Sequence, residues 1–325
     1  MREYISGRYR EKQGLDIPVD NILITNGSQQ GLDLLGKTLL NQGDEVIIEE
    51  PGYLGAIQAF SVYRARFNPV PVSDDGMETE RLKEVLAKRA PKLMYLVPNF
   101  QNPSGISYSD ANREAVAELV RGRNILVVED DPYRELRFSG AHKPSFGRLL
   151  PDQAILLGSF SKIIAPGLRL GWIAAPAQLM SKLVVAKQAS DLHSNHFAQR
   201  LIHQYLTDND IDRHIATIVR VYDRQRQAMV RGIEKYLPPT VAHTHPEGGM
   251  FIWLTLPQGA SSMRLFDLAI QDQVAFVPGN PFYVDRLETD TLRLNFSCVD
   301  EETIEIGMQR LGKAVEKLLD QVGGP

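Results

Sequence analysis

Residues 158–172 read GSFSKIIAPGLRLGW and follow the apolar run Ala154–Leu157, which predicts a buried strand. Open α/β sheets place ligands just beyond the carboxyl ends of their strands. The segment supplies two hydroxyls, one amine and one guanidinium, which belong to Ser159, Ser161, Lys162 and Arg169. Hydroxyls and an arginine suit a phosphate dianion, and a lysine in such a place can lose its proton and attack a carbonyl. The segment therefore predicts a phosphate site beside a reactive amine.

Up to Ala175 the chain alternates apolar runs with amphipathic stretches, which predicts an α/β domain. The predicted strands are Asn21–Thr25, Glu45–Glu49, Phe67–Val72, Leu93–Val97, Ile125–Glu129, Ala154–Leu157 and Leu170–Ala174. The predicted helices are Ser28–Leu40, Leu54–Val62, Glu78–Lys88 and Ser109–Arg121. Several strands are continuous Val, Ile and Leu runs, so we expect a mostly parallel central sheet between helices.

The predicted helix Ser28–Leu40 contains a phosphate-loop pattern that we reject. Ser28 is expected to cap this helix, and the leucines of the helix form one apolar stripe. Residues 31–38, GLDLLGKT, match the G-x-x-x-x-G-K-[ST] expression of ATP-binding loops. Such a loop must be small and open to phosphate, whereas this segment is Leu-rich and helix-periodic. An ATPase is therefore not the expected function.

Beyond Ala175 the pattern changes to that of a smaller α+β domain. We expect long helices over Gln178–Tyr205 and Ile211–Tyr236 and a final helix from Glu301. The short predicted strands are Met250–Leu256, Val274–Pro278 and Thr291–Ser297. The predicted organisation is an N-terminal helix in residues 1–18, a large domain in residues 19–205 and a small domain in residues 206–325.

Composition and charge narrow the possible classes of function. The net charge of −4 gives no support to a nucleic-acid partner. No apolar run approaches the ~20 residues of a membrane helix, and the charged start has no signal core, so a cytoplasmic protein is expected. The one cysteine, Cys298, excludes an internal disulfide and is expected to be buried. His193 and His196 could share a helix face, but no third ligand accompanies them, so no metal site is expected.

Residues 159–171 fit S-x-S-K-x-x-x-P-G-x-R-x-G, which resembles the lysine signature of class I/II aminotransferases of fold type I. These enzymes use pyridoxal 5′-phosphate (PLP). The resemblance implies that Lys162 holds PLP as an imine and that Ser159, Ser161 and Arg169 bind its phosphate. The variants GSFSKIIAPGLRLGW and, at residues 129–133, EDDPY are most similar to the 2-aminoadipate and kynurenine aminotransferase subgroup.

Other parts of the family pattern precede this signature in the expected order. The turn NGSQQ at residues 26–30 leads into a helix, whose free N–H groups make an anion site. The resemblance assigns Gly27, Ser28 and Gln29 to the phosphate. It also implies that Tyr53, after the strand Glu45–Glu49, stacks on the pyridine ring.

Two later motifs concern the ring itself. In NPSG at residues 102–105, the resemblance implies that Asn102 donates to the phenolic oxygen of PLP and lies at the substrate. In EDDPY, the family's D-x-x-Y spacing selects Asp130 and Tyr133 and leaves Asp131 as a turn or capping residue. A carboxylate at the pyridine nitrogen keeps the ring protonated, which PLP needs as an electron sink. Tyr133 is expected to bond the same phenolic oxygen.

Arg293 lies in an apolar predicted strand, where an unpaired guanidinium is costly. A bound carboxylate suits its two-pronged geometry, although a structural salt bridge is an alternative. By resemblance, Arg293 holds the substrate α-carboxylate, and GGMF at residues 248–251 brings Phe251 to the substrate side.

The resemblance implies transamination between an L-amino acid and a 2-oxo acid such as 2-oxoglutarate, in a homodimer. Donors of the 2-aminoadipate, aromatic and branched-chain types stay open, and a β-lyase is a close alternative. A second alternative is the PLP-binding effector domain of an aminotransferase-like transcription regulator. Relatives carry an N-terminal arm ahead of the helix that opens this chain, so a truncated, weakly active PLP-binding dimer is a third hypothesis.

Overall fold

The structure, a computed structural model, describes residues 1–322. The strands of the first part are β1 (Ile22–Thr25), β2 (Glu45–Glu50), β3 (Arg66–Ser73), β4 (Gly76–Met77), β5 (Leu93–Leu96), β6 (Leu126–Asp130), β7 (Ala154–Ser159) and β8 (Gly171–Ala174). The helices between and before them are α1 (Arg2–Gln13), α2 (Gly27–Leu39), α3 (Leu54–Ser61), α4 (Thr79–Lys88), α5 (Asp110–Val120) and α6 (Phe146–Leu149). The predicted strands and helices of this part are confirmed within a few residues at each end.

These strands form one sheet in the order β1-β8-β7-β6-β5-β2-β3-β4. The pairs from β3 through β2, β5 and β6 to β7 are parallel, while β8 runs antiparallel to both of its neighbours. Every residue of β5 and β7 is buried, which explains why these strands read as continuous apolar runs. The carboxyl ends of β2, β5, β6 and β7 meet at one edge, so the turns that follow them lie side by side.

The second part of the chain contains α7 (Ala177–Asp191), α8 (His196–Asp208), α9 (Ile211–Tyr236), β9 (Ala242–His243), β10 (Phe251–Thr255), α10 (Ser262–Gln271), β11 (Val277–Pro278), β12 (Thr291–Asn295) and α11 (Glu301–Val322). The strands form an antiparallel sheet in the order β11-β12-β10-β9. Two apolar cores result, and α9 contributes to both, with Ile215 in the first core and Ile233 in the second. The division of the chain at residues 18 and 205 stays a prediction.

The single helix expected over Gln178–Tyr205 is wrong, because the chain forms α7 and α8 there. Leu192 ends α7 with a positive φ of 64°, which an α-helix does not allow. The Asn195 side chain then accepts a hydrogen bond from the Ala198 N–H at 3.1 Å and starts α8. The boundary between the two helices therefore lies at the short polar residues between the apolar stretches.

Two smaller expectations are also wrong. Ser28 does not cap α2, because the helix already begins at Gly27 and Asn26 occupies the cap position. Cys298 is exposed and not buried, because it lies in the turn that follows β12. Residues 31–38 do lie inside α2, so the ATP-loop pattern is helical as expected. None of the helices described within residues 1–322 is long and apolar enough to cross a membrane.

Candidate active site

A cleft of about 400 Å³ opens between the carboxyl edge of the parallel strands and the strands β10 and β12. Every predicted site residue except Gly27 lines it: Ser28, Gln29, Tyr53, Asn102, Asp130, Tyr133, Ser159, Ser161, Lys162, Arg169, Phe251 and Arg293. These side chains are far apart in sequence. Most lie at the ends of neighbouring strands or in the segments that follow them, while Phe251 and Arg293 come from β10 and β12.

Asp130 ends β6 and is buried, with an exposed fraction of 2%. The Tyr95 hydroxyl donates a hydrogen bond to Asp130 Oδ2 at 2.9 Å. Oδ1 is also buried and has no partner. Burial raises the pKa of Asp130 to about 7, and the Tyr95 hydrogen bond acts in the opposite direction. An unpartnered buried carboxylate oxygen is costly, so this atom is suited to receive a donor from a ligand.

Lys162 lies half-buried in the turn after β7. Burial lowers the pKa of its amine, and the positive charges of Arg293 and Arg169 lower it further. The Nζ atom is 6.0 Å from the centre of the Tyr133 ring. Burial and the two arginines favour the neutral amine, which is the nucleophilic and basic form.

Arg169 and the start of α2 form an anion-binding corner. Arg169 has a φ of 49°, and its guanidinium lies against Gly27, where an added Cβ would come within 2.6 Å of Nη2. Because α2 begins at Gly27, the N–H groups of Ser28 and Gln29 have no intrahelical acceptor. A guanidinium beside free helix N–H groups suits a phosphate.

Within the turn after β7, the Ser159 hydroxyl is engaged by the backbone. It donates to the Leu170 carbonyl at 3.3 Å and accepts from the Ser161 N–H at 3.1 Å. Ser159 therefore shapes the turn that presents Lys162, whichever ligand the cleft holds.

Arg293 projects from β12 towards the turn that follows β5. Its guanidinium lies 4.2 Å from the Phe251 ring centre, and Nη1 donates to Asn102 Oδ1 at 2.6 Å. The Nε atom is buried without a partner, and burial lowers the pKa of the side chain. Within residues 1–322 no Asp or Glu forms an ion pair with Arg293, so the alternative of a structural salt bridge is not realised. The guanidinium is suited to a carboxylate ligand.

Two tyrosines complete the walls of the cleft. The Tyr53 ring lies 6.4 Å from the Tyr95 ring with an interplanar angle of 25°, and burial raises the pKa of Tyr53 to about 12. Tyr133 packs edge-on against Phe251 at 5.8 Å, and burial raises its pKa as well. Both hydroxyls therefore stay protonated at neutral pH and can donate hydrogen bonds.

A second, smaller cavity of about 190 Å³ lies between α1 and the sheet, where Tyr9 and Trp172 form part of its wall. Ser159 is the one predicted site residue among its lining residues. Several charged groups there pair with one another, as Arg134 does with Asp131 at 3.2 Å. Glu129 also lines this cavity, and its Oε1 is buried without a partner. The predicted lysine, arginines and Asp130 all lie in the first cleft.

The family model for class I and II aminotransferases matches residues 1–311. The chain belongs to this family. It is 42% identical over 304 residues to a 2-aminoadipate transaminase of Thermus thermophilus, covering 92% of this chain and 76% of that protein. It is 40% identical over 314 residues to an aromatic-amino-acid aminotransferase of Thermococcus litoralis, covering 95% of this chain and 75% of that protein.

Among solved structures, a kynurenine aminotransferase of Pyrococcus horikoshii is similar with a TM-score of 0.93 and 41% identity, over 97% of this chain and 80% of that one. That crystal structure contains pyridoxamine phosphate (PMP), the amino form of the cofactor. The aminotransferase described here has fold type I and depends on PLP.

The residues of this aminotransferase fit PLP. The unpartnered Asp130 Oδ1 is an acceptor for a protonated ring nitrogen, and the Arg169–Gly27 corner suits the phosphate. The amine with a lowered pKa suits a cofactor that carries an aldehyde.

Sequence reasoning missed several residues of the aminotransferase cleft, namely Tyr95, Val97, Pro132 and Asn295. Tyr95 is the important omission, because it is bonded to Asp130. Its signal in the sequence is a single hydroxyl inside the buried run LMYL at residues 93–96. Asp131, set aside by the D-x-x-Y spacing, lies outside the cleft and accepts from Asn99 Nδ2 at 2.9 Å.

Proposed function

We propose that this aminotransferase moves the amino group of an aromatic or 2-aminoadipate-type L-amino acid to 2-oxoglutarate, with Lys162 carrying the cofactor. The observation that supports this proposal is that one cleft contains both Lys162, whose pKa is lowered, and the unpartnered Oδ1 of Asp130. The substrate class is that of the similar proteins, whose names specify 2-aminoadipate and aromatic amino acids.

When bound, PLP supplies an aldehyde for the amino nitrogen and a ring that withdraws electrons from the α-carbon. Asp130 holds a proton at the ring nitrogen through Oδ1. An ion pair at 4 Å is stabilised by about 4 kcal/mol at an effective dielectric constant near 20, which favours the protonated ring. Arg169 and the N–H groups at the start of α2 hold the phosphate, and Tyr53 and Tyr133 fix the ring.

Arg293 orients the amino acid by binding its α-carboxylate, together with the Asn102 side chain. The Phe251 ring beneath the guanidinium keeps water from that contact. Once the amino group of the substrate takes its place on the cofactor, the Lys162 amine would be free to accept the proton from the α-carbon and to give it back, as a positioned base and then acid. The lowered pKa suits this role, because a base that works near neutral pH needs its neutral form to be populated.

Lys162→Ala tests the proposal. The variant should lose the visible absorbance of the lysine-bound cofactor, and kcat should fall by roughly 10²-fold to 10⁴-fold, the usual contribution of a positioned acid–base group. Lys88→Ala, on an exposed lysine of α4, is the matched control and should keep both properties. Normal turnover by Lys162→Ala would refute the role of this amine.

A screen of amino donors with 2-oxoglutarate tests the substrate class. Turnover of 2-aminoadipate, kynurenine or phenylalanine well above that of alanine supports the proposal. Cofactor binding without transfer to any 2-oxo acid would contradict it and favour a non-catalytic PLP-binding protein.

The homodimer and the cytoplasmic location stay predictions. Exposed apolar side chains near α7 and α8, such as Leu192 at 72% and Phe197 at 73% exposure, offer a surface for a second copy. Sedimentation equilibrium of the purified chain measures its oligomeric state.

A further inference from the structure

Tyr95 lies in the middle of the parallel sheet and is completely buried. Its hydroxyl donates to Asp130 Oδ2 at 2.9 Å, and both partners are shielded from water. A hydrogen bond to a buried carboxylate is stronger than one between neutral groups, because one partner is charged.

Packing fixes the direction of this hydroxyl. The Tyr95 ring stacks on Tyr53 at 6.4 Å and meets the edge of Phe60 at 6.2 Å with an interplanar angle of 75°. The hydroxyl is therefore held in place by contacts that do not involve the ligand. A group held in this way can orient Asp130 before a cofactor arrives.

The two oxygens of Asp130 differ because of Tyr95. Oδ2 is satisfied, whereas Oδ1 is buried without a partner. The other ionisable groups that act on this carboxyl, Glu49 and Asp131, are acids and disfavour its charge. Tyr95 is thus the one described neighbour within residues 1–322 whose hydrogen bond favours the ionised form.

We propose that Tyr95 is a positioning residue for amino transfer: its hydroxyl orients the Asp130 carboxylate so that Oδ1 meets the ring nitrogen of the cofactor. The inference rests on the proposed role of Asp130. Tyr95 itself touches no reacting atom and acts through the charge and orientation of the carboxylate.

Tyr95→Phe keeps the ring and removes the hydroxyl. We expect PMP, which forms no covalent bond to the protein, to bind roughly tenfold to a hundredfold more weakly, the effect of losing one hydrogen bond to a charged group. We expect kcat to fall by a similar factor while KM for the amino donor changes little, since Arg293 is untouched. Tyr63→Phe is the matched control, because Tyr63 donates to Asp33 Oδ1 at 2.7 Å outside the cleft.

The pH dependence of the apoprotein gives a readout that a purely structural role would not move. Burial raises the pKa of Asp130 to about 7, so its folded form keeps a proton that the unfolded chain has released. The free energy of unfolding therefore falls as pH rises above the pKa of Asp130 in the unfolded chain. It becomes constant above the pKa of Asp130 in the folded protein. Without the Tyr95 donor, the pKa of Asp130 in the folded protein rises, so the pH at which stability becomes constant should move above 7. In Tyr63→Phe this pH should be the same as in the wild type.

Replacement of Tyr95 by 3-fluorotyrosine covers the case in which Tyr95→Phe does not fold. Its hydroxyl is more acidic and donates more strongly, so the pH at which stability becomes constant should be lower. Unchanged PMP affinity and an unchanged pH profile in these variants would overturn the inference about Tyr95. If Asp130→Asn also left amino transfer intact, the proposed role of Asp130 itself would fail, so the two failures are distinguishable.

Discussion

Asp130→Asn separates the cost of folding around a buried carboxyl from the use of that carboxyl in catalysis. Burial raises the pKa of Asp130 from 3.8 to about 7. Between these values the folded protein holds a proton that the unfolded chain has lost. The free energy of unfolding therefore falls by about 1.4 kcal/mol for each pH unit, or about 4 kcal/mol in all by neutral pH. Asparagine does not titrate, so the variant escapes this loss.

The comparison is made on apoprotein by chemical unfolding at pH 5 and pH 7. Over these two pH units, stability should shift in favour of the variant by about 2 kcal/mol, because the wild-type carboxyl is already half titrated at pH 7. In thermal unfolding, a shift of this size corresponds to about 3 °C for a chain of this length. The same variant should bind PMP weakly and lose amino transfer, because a neutral amide does not hold the ring proton. Removal of this carboxyl should thus make stability less dependent on pH while amino transfer is lost.

Asp44→Asn is the control with the opposite sign. The hydrogen bond from Lys92 lowers the pKa of Asp44, so its contribution to stability is present at pH 5 and pH 7 alike and is lost only at lower pH. Its stability difference from the wild type should be constant across the tested range. A constant difference for Asp130→Asn as well would show that Asp130 does not keep a proton in the folded protein at pH 5.

Two further changes test the ends of the cleft. Gly27→Ala should weaken PMP binding by about tenfold or more, because its Cβ would displace the Arg169 guanidinium at 2.6 Å. Gly14→Ala is the control, because Gly14 also has a positive φ, 65°, but an added Cβ there would meet no atom within 4 Å. This variant has the same backbone strain and should bind PMP as the wild type does. An equal loss of affinity in both variants would contradict the contact with Arg169. Arg293→Lys should raise KM for the amino donor by about tenfold or more at unchanged PMP affinity, since lysine lacks the two-pronged geometry. A weaker affinity for PMP at an unaltered KM would place Arg293 at the cofactor instead.

The motifs that resemble the aminotransferase family predict the members of the cleft, and most of these motifs lie at or just after the ends of strands. Parallel neighbours end at one edge, so residues after β2, β5, β6 and β7 must meet there, whatever their separation in sequence. Spacing also resolves the choice between two adjacent acids: Asp130 lines the cleft, and Asp131 pairs with Arg134 outside it.

The contacts inside the sheet are harder to predict. Tyr95 reads as an ordinary apolar strand residue, because its partnership with Asp130 depends on strand order and on the face to which each side chain points. The break at Leu192 depends on one backbone angle that apolar periodicity does not encode. Exposure of Cys298 follows from the length of the turn after β12, which propensity alone does not fix.

Arg293 and Asn102 belong to different halves of the protein, and their 2.6 Å hydrogen bond joins the small antiparallel sheet to the large one across the cleft. This contact holds Nη1 and leaves the buried Nε without a partner, so the guanidinium has a fixed direction while part of its donor capacity stays free. A relative movement of the two sheets would turn the guanidinium away from the cleft, so the alignment of the two halves sets the geometry of the donor.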